Sequence, residues 1–302
     1  MNIESFENRF KKFSKSIYFN HSLKKLNWFN IGGNANIYFK PDNLQDLIEF
    51  LKMCKSEEKI FVIGAGSNVL FKDDIFAGTV IKLSKNFSRI SLLNENTIIA
   101  GSGVLDKSLS EFAAENSLSG FEFLSCIPGT IGGGIRMNSG CFGREFKDIL
   151  ISVQAINRLG EVLTIPSKDI IFDYRSCNLS KDLIFLSASF IGNKGKRDEI
   201  EQEVKKLKAK KEKAQPTRIK TGGSTFKNPI EQTNRKVWEI IKESIPDKTQ
   251  FGDAVISDKH ANFFINKNNA SYKDMKELID FVKENVKNKT GIKLDLEIIL
   301  VE

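Results

Sequence analysis

The chain carries a glycine-rich stretch, Ile127-Pro128-Gly129-Thr130-Ile131-Gly132-Gly133-Gly134, and Gly140 and Gly143 follow shortly after it. Glycine has no Cβ, so successive backbone N–H groups can turn towards a phosphate. A Walker loop is excluded, because Ile135-Arg136 stands where that motif requires Lys followed by Ser or Thr. The stretch therefore predicts a phosphate-binding loop of a different class.

A second glycine loop lies upstream at Gly64-Ala65-Gly66-Ser67-Asn68-Val69, directly after the apolar run Ile60-Phe61-Val62-Ile63. It begins like the fingerprint of dinucleotide-binding Rossmann folds, but Val69 stands where the third glycine belongs, so a Rossmann site is disfavoured. By itself this loop is equally well interpreted as an ordinary turn. Two such loops, each after a strand-like segment and neither of Rossmann nor Walker type, are more specific together than either one alone.

Hydrophobic periodicity predicts helices and strands on both sides of these loops. Apolar residues recur at helical spacing from Leu44 to Leu51, with Asp42 as the candidate cap, and a second helix is expected around Leu109. Short β-type runs predict strands in the first half of the chain, at residues 60–63, 79–83 and 97–100.

The pattern changes after Ile151. Strands are predicted at residues 152–156, 162–165 and 184–190, and the highly charged segment 196–213 is expected to be a helix that bridges two domains. A short helix is expected around Val237–Ile241. Ser271 and Asp274 have the spacing of a capping box at the start of a longer helix. The alternating segment 292–300 predicts a half-buried strand with Glu297 on the face opposite Leu294, Leu296 and Ile298.

Composition bounds the class of protein. The chain has 302 residues, 40% of them hydrophobic, and a formal net charge of +8. Lysines usually have an acidic residue nearby, which is typical of a solvated surface and argues against a nucleic-acid partner. The acidic segment 1–7 lacks the apolar run of a signal peptide, and no stretch reaches the roughly 18 apolar residues that cross a bilayer. We therefore expect a cytoplasmic protein without a membrane partner.

Cysteine and histidine usage argues against a metal centre. The four cysteines are far apart and form no CxxC pair, and the two histidines, His21 and His260, are distant from each other and from every cysteine. Neither pattern matches the ligand spacing of a zinc site. We expect free thiols in a reducing compartment and no bound metal.

A third motif, Gly222-Gly223-Ser224-Thr225-Phe226-Lys227-Asn228-Pro229, places a serine after two glycines. It lacks the GxSxG elbow, and the chain offers no credible histidine partner, so a serine hydrolase is disfavoured. Ser224 beside Lys227 could instead donate a proton. A polar turn between domains is the alternative interpretation.

Taken in order, these motifs resemble the UDP-N-acetylenolpyruvoylglucosamine reductase family. The resemblance covers most of the chain and rests on Phe29-Asn30-Ile31-Gly32-Gly33, Gly64 to Leu70, Gly120 to Gly134, Met137-Asn138-Ser139-Gly140, Tyr174-Arg175-Ser176, Ser224 to Pro229, Ser257 to Asn266 and Glu297. The short stretch between Arg175 and Ser224 is similar to the family's compact subclass, which lacks an extra tyrosine-bearing loop over the substrate.

The resemblance implies an α+β fold. It implies a two-part FAD-binding domain of the vanillyl-alcohol-oxidase (PCMH) type in residues 1–195, with subdomains of about 1–85 and 86–195. A smaller α+β substrate-binding domain would follow in residues 196–302. The implied activity is NADPH-dependent reduction of UDP-N-acetylglucosamine enolpyruvate to UDP-N-acetylmuramate through non-covalent FAD, in peptidoglycan precursor synthesis, by a monomer.

The resemblance also assigns roles to residues. Arg175 would bind the substrate carboxylate, Ser224 would deliver the final proton, and Glu297 would hold the enediolate if protonated or orient Arg175 if ionised. Substrate contacts are expected from Tyr174, Lys227 and Asn228. The expected FAD contacts are Ile31, Gly32, Gly64, Ala65, Gly66, Ser67, Asn68, Val69, Leu70, Ile127, Pro128, Gly129, Thr130, Gly132, Gly133, Asn138 and Gly140.

Two other functions compete with this one. An oxidase or dehydrogenase of the same fold could act on a sugar or an alcohol, although Ser224 and the lack of a recognisable histidine for covalent flavin attachment argue against it. A non-enzymatic nucleotide-binding or nucleic-acid-binding module would rest on the basic charge alone.

Overall fold

The computed structural model describes residues 9–217 and 219–302. Its contacts divide the chain into two compact units, each assembled from separate segments. The first unit comprises the described residues up to His21 together with Asn36–Ala65 and Ala77–Lys210, and the second comprises Ser22–Ala35, Gly66–Phe76 and Lys211–Glu302. The predicted domains of 1–195 and 196–302 were defined by function, and they stay a prediction.

Helices and strands are mixed throughout the described chain, as the sequence predicts. The α-helices are α1 Leu44–Met53, α2 Asp106–Glu115, α3 Ile131–Arg136, α4 Arg197–Ala214, α5 Val237–Ser244 and α6 Tyr272–Thr290. Short 3-10 helices lie at Lys11–Phe13, Lys24–Leu26, Lys85–Phe87, Glu122–Cys126, Phe146–Asp148 and Ser167–Asp169.

Most of the strands are short. They are β1 Ile17–Ser22, β2 Asn34–Phe39, β3 Lys59–Val62, β4 Val69–Phe71, β5 Phe76–Ile81, β6 Ile90–Leu92, β7 Thr97–Gly101, β8 Leu118–Ser119, β9 Gly140–Cys141, β10 Arg144–Glu145, β11 Leu150–Ile156, β12 Val162–Pro166, β13 Phe172–Asp173, β14 Ser176–Cys177, β15 Ile184–Ile191, β16 Asn193–Lys194, β17 Thr221–Ser224, β18 Gln250–Phe251, β19 Ala254–Ile256, β20 Phe263–Asn266 and β21 Ile299–Val301.

The first unit is built on two sheets. One has the order β1-β2-β5-β3, with β3 and β5 parallel, and the other is an antiparallel sheet in the order β12-β11-β15-β7-β6. Each sheet has its own apolar core. One core stacks the rings of Phe39 and Phe50 at 4.1 Å, and the other packs Phe146 against Phe190.

The second unit packs α5 and α6 against the antiparallel sheet β17-β20-β19-β18. Its core includes Phe226, Phe264 and the apolar face of α6, because Met275, Leu278, Ile279, Val282 and Val286 recur at helical spacing and are buried. The predicted capping box is confirmed: Ser271 Oγ accepts from the Asp274 N–H at 3.1 Å, and Asp274 Oδ2 accepts from the Ser271 N–H at 2.9 Å.

Two local predictions were wrong. Helix α1 is capped by Asn43 rather than Asp42, because the Asn43 Oδ1 accepts from the Asp46 N–H at 2.8 Å. The predicted strand at 292–300 is shortened to β21, which pairs in parallel with β4. Glu297 therefore lies in a bend before the strand and is not oriented by strand alternation. Its segment is held instead by hydrogen bonds to residues 225–227.

Candidate active site

The first glycine loop is anchored where β3 ends. The Ile63 N–H donates to the Ile81 carbonyl at 2.9 Å, so the loop departs directly from the parallel sheet. A Cβ added to Gly64 would lie 2.3 Å from Thr130 Oγ1, which belongs to the second glycine loop. Only glycine permits this approach, and the two predicted loops are therefore neighbours within the first unit.

The second loop is held by packing beneath it. The Ile131 and Gly132 N–H groups donate to the Val104 and Ser102 carbonyls, each at 2.9 Å. A Cβ at Gly134 would lie 2.3 Å from the Phe146 ring. Pro128 and Gly133, in contrast, are exposed. One side of the loop is therefore packed against the protein and the other side is exposed, as expected for a surface that binds a ligand.

These two loops fit a flavin dinucleotide. In the first unit, Gly64 lies against Thr130, so the peptide groups of this region would face a ligand with few side chains between them. Ile127 is half-buried at the start of the second loop and Thr130 is buried between the two loops. The predicted contacts of individual residues with FAD stay predictions.

Asp106 supports the second loop from within the protein. It is the first residue of α2 and has no exposed surface, and its backbone N–H donates to the Gly129 carbonyl at 3.2 Å. A Cβ added to Gly129 would lie 2.6 Å from Asp106 Oδ2. Neither carboxyl oxygen has a hydrogen-bond partner among the described residues, and burial raises the pKa of this carboxyl well above its usual value. No sequence pattern predicted this burial, because an acidic residue in a first helical turn usually faces solvent.

Apart from Asn138 and Gly140, the remaining predicted cofactor residues belong to the second unit. Gly66 adopts φ +70, and an added Cβ would lie 2.1 Å from the Leu26 carbonyl oxygen. Ser67 is half-buried. Asn68 Nδ2 donates to the Glu297 carbonyl at 3.0 Å. The others are buried, Val69 and Leu70 on β4 and Ile31 and Gly32 in the preceding segment.

Arg175 lies in the first unit at the tip of the hairpin formed by β13 and β14. The turn consists of Tyr174 and Arg175, and Arg175 adopts a left-handed φ of 59°. Its guanidinium donates to the Gly140 carbonyl at 3.2 Å and lies 3.7 Å from Glu145 Oε1. It also lies over the Tyr174 ring, 4.8 Å from the centroid. The turn presents the arginine, and these contacts orient its side chain.

Asn138 ties this region together through its side chain. It is fully buried with φ 41°, and its Nδ2 donates both to Glu145 Oε2 at 3.0 Å and to the Asp173 carbonyl at 3.2 Å. Its Oδ1 accepts from the Lys147 N–H at 3.1 Å. The amide of this predicted FAD contact is thus engaged by the protein itself, and a contact with FAD stays a prediction.

The structure brings the Ser224 and Glu297 segments together in the second unit. Ser224 is the last residue of β17 and is half-buried. The Glu297 N–H donates to the Thr225 carbonyl at 2.9 Å, and the Lys227 N–H donates to the Asp295 carbonyl at 2.9 Å. Two segments that are distant in sequence therefore run side by side.

The predicted substrate contacts have local structural roles as well. Asn228 Oδ1 accepts from the Val237 N–H at 3.0 Å, which ties the Ser224 loop to the start of α5. Lys227 is half-buried next to it, and Tyr174 lies beside Arg175 in the first unit. Their contacts with substrate stay predictions.

Sequence reasoning missed two residues at these sites. Asn262 hydrogen-bonds the backbone of Phe226, two residues beyond Ser224, and Glu145 lies against Arg175. A signal existed for Glu145, because Phe142-Gly143 is a candidate two-residue hairpin turn that would pair residue 145 with residue 140. Asn262 lies within the Ser257 to Asn266 stretch of the resemblance, but no local pattern predicted its partner Phe226, which is distant in sequence.

The described residues contain no group of His, Cys, Asp and Glu that could hold a metal ion. The histidines are engaged with aromatic rings instead: His21 stacks on Tyr38 at 4.4 Å, and His260 lies edge-on to Phe263 at 4.8 Å. Burial lowers the pKa of both imidazoles. Within the same part of the chain, no helix is long and apolar enough to cross a membrane.

Sequence profiles of two families match the chain. A profile described as an FAD binding domain matches residues 35–166, which include both glycine loops of the first unit. A profile described as the C-terminal domain of UDP-N-acetylenolpyruvoylglucosamine reductase matches residues 215–301, which include Ser224 and Glu297.

Whole-chain relatives carry the same description. The chain is 60% identical over 298 residues to the UDP-N-acetylenolpyruvoylglucosamine reductase of Pelagibacter ubique (strain HTCC1062), covering 99% of both proteins. It is 43% identical over 278 residues to that of Rickettsia canadensis (strain McKiel), covering 92% of this chain and 93% of the relative.

A solved structure has the same fold. The crystal structure of UDP-N-acetylenolpyruvylglucosamine reductase from Thermus caldophilus superposes with a TM-score of 0.81 at 27% identity, covering 95% of this chain and 98% of that one. The predicted fold class, an FAD-binding domain of the PCMH type followed by a smaller α+β domain, is confirmed by this match and the two profiles.

Proposed function

The chain belongs to the UDP-N-acetylenolpyruvoylglucosamine reductase family, and from that premise we propose that it reduces UDP-N-acetylglucosamine enolpyruvate to UDP-N-acetylmuramate, with FAD bound and NADPH as the hydride donor. The product is a precursor of peptidoglycan. The observation that carries the proposal is the pairing of the Ser224 loop with the Glu297 segment, within the part of the chain that matches the family's C-terminal profile.

Bound FAD supplies the hydride chemistry that no amino-acid side chain provides. The two glycine loops would hold it, and the exposure of Gly133 together with the close approach of Gly64 to Thr130 supports that role. The rigid packing beneath the second loop keeps its peptide groups in place without a cost in reorganisation when the cofactor binds.

Arg175 is assigned to the substrate carboxylate. Hydride addition to the terminal carbon of the enolpyruvyl group leaves negative charge on the adjacent carbon, delocalised into the carboxylate. A guanidinium is always protonated and binds a carboxylate through two parallel N–H bonds, so it stabilises this charge as it develops. The contacts of Arg175 with the Gly140 carbonyl and the Tyr174 ring support a preset orientation.

Ser224 is assigned to the final proton transfer. A hydroxyl is a weak acid, but the carbanionic carbon is strongly basic, so a positioned serine can protonate it. Gly223 precedes Ser224 with φ +78 and has open space around its Cβ position, so the serine follows a turn that favours glycine. The backbone bonds after Ser224 keep this turn in one conformation.

Glu297 is assigned to the same chemistry as a group that holds the enediolate or orients the arginine. Its backbone is fixed by the Thr225 carbonyl and by the Asn68 side chain, which supports a fixed place for its carboxyl. Tyr174, Lys227 and Asn228 would bind the rest of the UDP-sugar.

We also propose a cellular compartment and an oligomeric state for the protein. The four cysteines are far apart in the sequence and form no CxxC pair, which supports a reducing compartment such as the cytoplasm. We further propose a monomer. We also propose that it needs no nucleic-acid partner, since its lysines usually have an acidic residue nearby in the sequence.

An anaerobic experiment tests the proposal. The purified protein should be yellow, and NADPH should bleach its flavin absorbance. Addition of UDP-N-acetylglucosamine enolpyruvate should then restore the absorbance at a rate that depends on the substrate concentration. If the enolpyruvyl sugar leaves the bleached enzyme unchanged, the proposed function is wrong.

A further inference from the structure

We propose that Glu145 is a positioning residue for Arg175: together with the Gly140 carbonyl, its carboxylate holds the guanidinium in the orientation that receives the substrate carboxylate. The inference rests on the proposed function, because it concerns how Arg175 performs the role assigned above. It assigns a function to an acidic side chain that no motif in the sequence singled out.

The hairpin of β9 and β10 places both acceptors side by side. Its register pairs Gly140 directly with Glu145, and the Phe142-Gly143 turn between the strands has positive φ at both residues. Arg175 donates from Nη2 to the Gly140 carbonyl at 3.2 Å, while its Nη1 lies 3.7 Å from Glu145 Oε1. One cross-strand pair thus supplies a directional hydrogen bond and a charge to the same guanidinium.

Glycine at position 140 makes this arrangement possible. A Cβ added to Gly140 would lie 2.8 Å from Glu145 Cγ and 2.4 Å from the Arg144 carbonyl oxygen. The Glu145 side chain therefore occupies the space that a larger residue at position 140 would fill. Packing against Arg144 and Glu145 therefore accounts for glycine at position 140 without a ligand.

The two oxygens of the Glu145 carboxylate have separate partners. Oε2 accepts from Asn138 Nδ2 at 3.0 Å and pairs with Lys147 Nζ at 2.9 Å, whereas Oε1 faces Arg175. Asn138 is fully buried and also donates to the Asp173 carbonyl, two residues before Arg175. Asn138 and Lys147 thus hold the Glu145 carboxylate through Oε2. Asn138 also holds the hairpin that carries Arg175, through the Asp173 carbonyl.

The energetics of the Arg175–Glu145 pair favour a role in positioning the arginine side chain over a role in the stability of the fold. An arginine side chain loses substantial rotamer entropy when it is immobilised, and anchoring it before the substrate arrives removes that cost from binding. The Arg175 and Glu145 side chains are only 17% and 20% exposed, so solvent screens the pair less than a surface ion pair. A guanidinium has five N–H donors, so its chemistry allows it to bind a substrate carboxylate in addition to Gly140 and Glu145.

The test uses Glu145→Gln and Glu145→Ala in the full-length holoenzyme, with the two half-reactions measured separately by stopped flow. Glu145→Gln keeps the size of the side chain but cannot offer one oxygen to Arg175 and another to Asn138 and Lys147. We expect the substrate-dependent recovery of flavin absorbance to slow about tenfold, the equivalent of one hydrogen bond to a charged group. For Glu145→Ala we expect about a hundredfold, as for a misplaced catalytic group.

Flavin reduction by NADPH should stay close to the wild-type rate in both variants, with unchanged flavin content. The proposal is overturned if both variants recover flavin absorbance at the wild-type rate, or if they lose the two half-reactions equally. If Glu145→Ala does not fold, Glu145→Gln alone tests whether Glu145 positions Arg175. A matched control is Glu201→Ala, which removes an exposed Arg197–Glu201 ion pair in the same unit and should change neither half-reaction.

A double-mutant cycle separates positioning from a role independent of the arginine. If Glu145 acts through Arg175, then Glu145→Gln should have little further effect in an Arg175→Ala background. Additive losses would overturn the inference. The proposed function is judged by the wild-type enzyme alone, because a wild type that shows no substrate-dependent recovery refutes the function, whereas a normal wild type with additive variants refutes only the role of Glu145.

Discussion

The side chain of Asn262 forms with Phe226 the two hydrogen bonds that a neighbouring strand would form. Asn262 Oδ1 accepts from the Phe226 N–H at 2.9 Å, and its Nδ2 donates to the Phe226 carbonyl at 2.8 Å. Both residues are buried, and the Asn262 carbonyl also accepts from the Thr225 N–H at 2.8 Å. The backbone immediately after Ser224 is therefore held by Asn262 as well as by the Glu297 segment.

Replacing Asn262 with Ala should destabilise the protein. The change leaves the buried N–H and carbonyl of Phe226 without these partners, and each unsatisfied group costs about 1–3 kcal/mol in the free energy of unfolding. Asn262→Asp keeps an acceptor for the N–H but buries a carboxyl group against the Phe226 carbonyl, so it should also destabilise the protein at neutral pH. Urea unfolding at neutral pH measures both variants.

A matched control is Asn285→Ala on α6. That side chain is half-buried and donates one hydrogen bond, to the Phe281 carbonyl at 2.9 Å, so its loss should cost about 1 kcal/mol or less. An Asn262→Ala protein no less stable than this control would contradict the structural role of Asn262.

Ser224→Ala should separate the two half-reactions. NADPH should still bleach the flavin at nearly the wild-type rate, because that step needs no proton from Ser224. Turnover of the enolpyruvyl sugar should fall by about 10²–10⁴-fold, the usual contribution of a positioned general acid. Stopped-flow absorbance of the flavin measures both steps, and Ser91→Ala on the exposed strand β6 is a control of matched size. Loss of the NADPH step in Ser224→Ala would show that the serine has been given the wrong role.

Gly140→Ala should reproduce the effect of removing the Glu145 carboxylate. The new methyl group would lie 2.4 Å from the Arg144 carbonyl oxygen and 2.8 Å from Glu145 Cγ, so both the β10 backbone and the Glu145 side chain must shift relative to Arg175. We expect substrate-dependent recovery of flavin absorbance to slow by about tenfold to a hundredfold. Gly143→Ala is the control in the same hairpin, because it has positive φ but no atom within 4 Å of the added Cβ.

Gly143→Ala should lose some stability, about 1 kcal/mol, from its left-handed backbone. Its half-reactions should stay normal. If both glycine variants slow the substrate step equally, the effect belongs to the hairpin as a whole and not to the displacement of Glu145.

Asp106→Asn should gain stability over the wild type as the pH rises. Burial raises the pKa of the Asp106 carboxyl in the folded protein well above the ordinary value of 3.8. Well below pH 3.8 the carboxyl is protonated in both the folded and the unfolded state, so its titration does not change the free energy of unfolding. Above it, the unfolded chain ionises while the folded protein keeps its proton, so the wild-type free energy of unfolding falls by about 1.4 kcal/mol per pH unit until the folded carboxyl itself titrates.

Asparagine has no such titration. The difference in the free energy of unfolding between Asp106→Asn and the wild type should therefore grow from pH 4 towards neutral pH in urea titrations. A difference that is constant or shrinks with pH would mean that Asp106 is ionised in the folded protein.

The local elements and the family could be predicted from the amino-acid sequence. Periodicity predicted α1 and α6, glycine without a Cβ predicted both loops, and the order of the motifs pointed to Ser224, Arg175 and Glu297. These features depend on near neighbours in the chain or on motif identity, so they can be read without coordinates. The cap of α1 and the extent of the last strand were misjudged, because Asn43 competes with Asp42 and because β21 forms only where β4 is available to pair with it.

Contacts between residues that are distant in sequence, in contrast, depend on the tertiary fold. Gly64 against Thr130, Asn262 against Phe226 and Glu145 against Arg175 join residues that no periodicity relates. The burial of Asp106, and hence its raised pKa, likewise depends on the loop packed over it rather than on its helical position. Contacts of this kind arise from chain folding over long sequence separations, where hydrogen-bond geometry and desolvation are set by the complete packing and not by local residue preference.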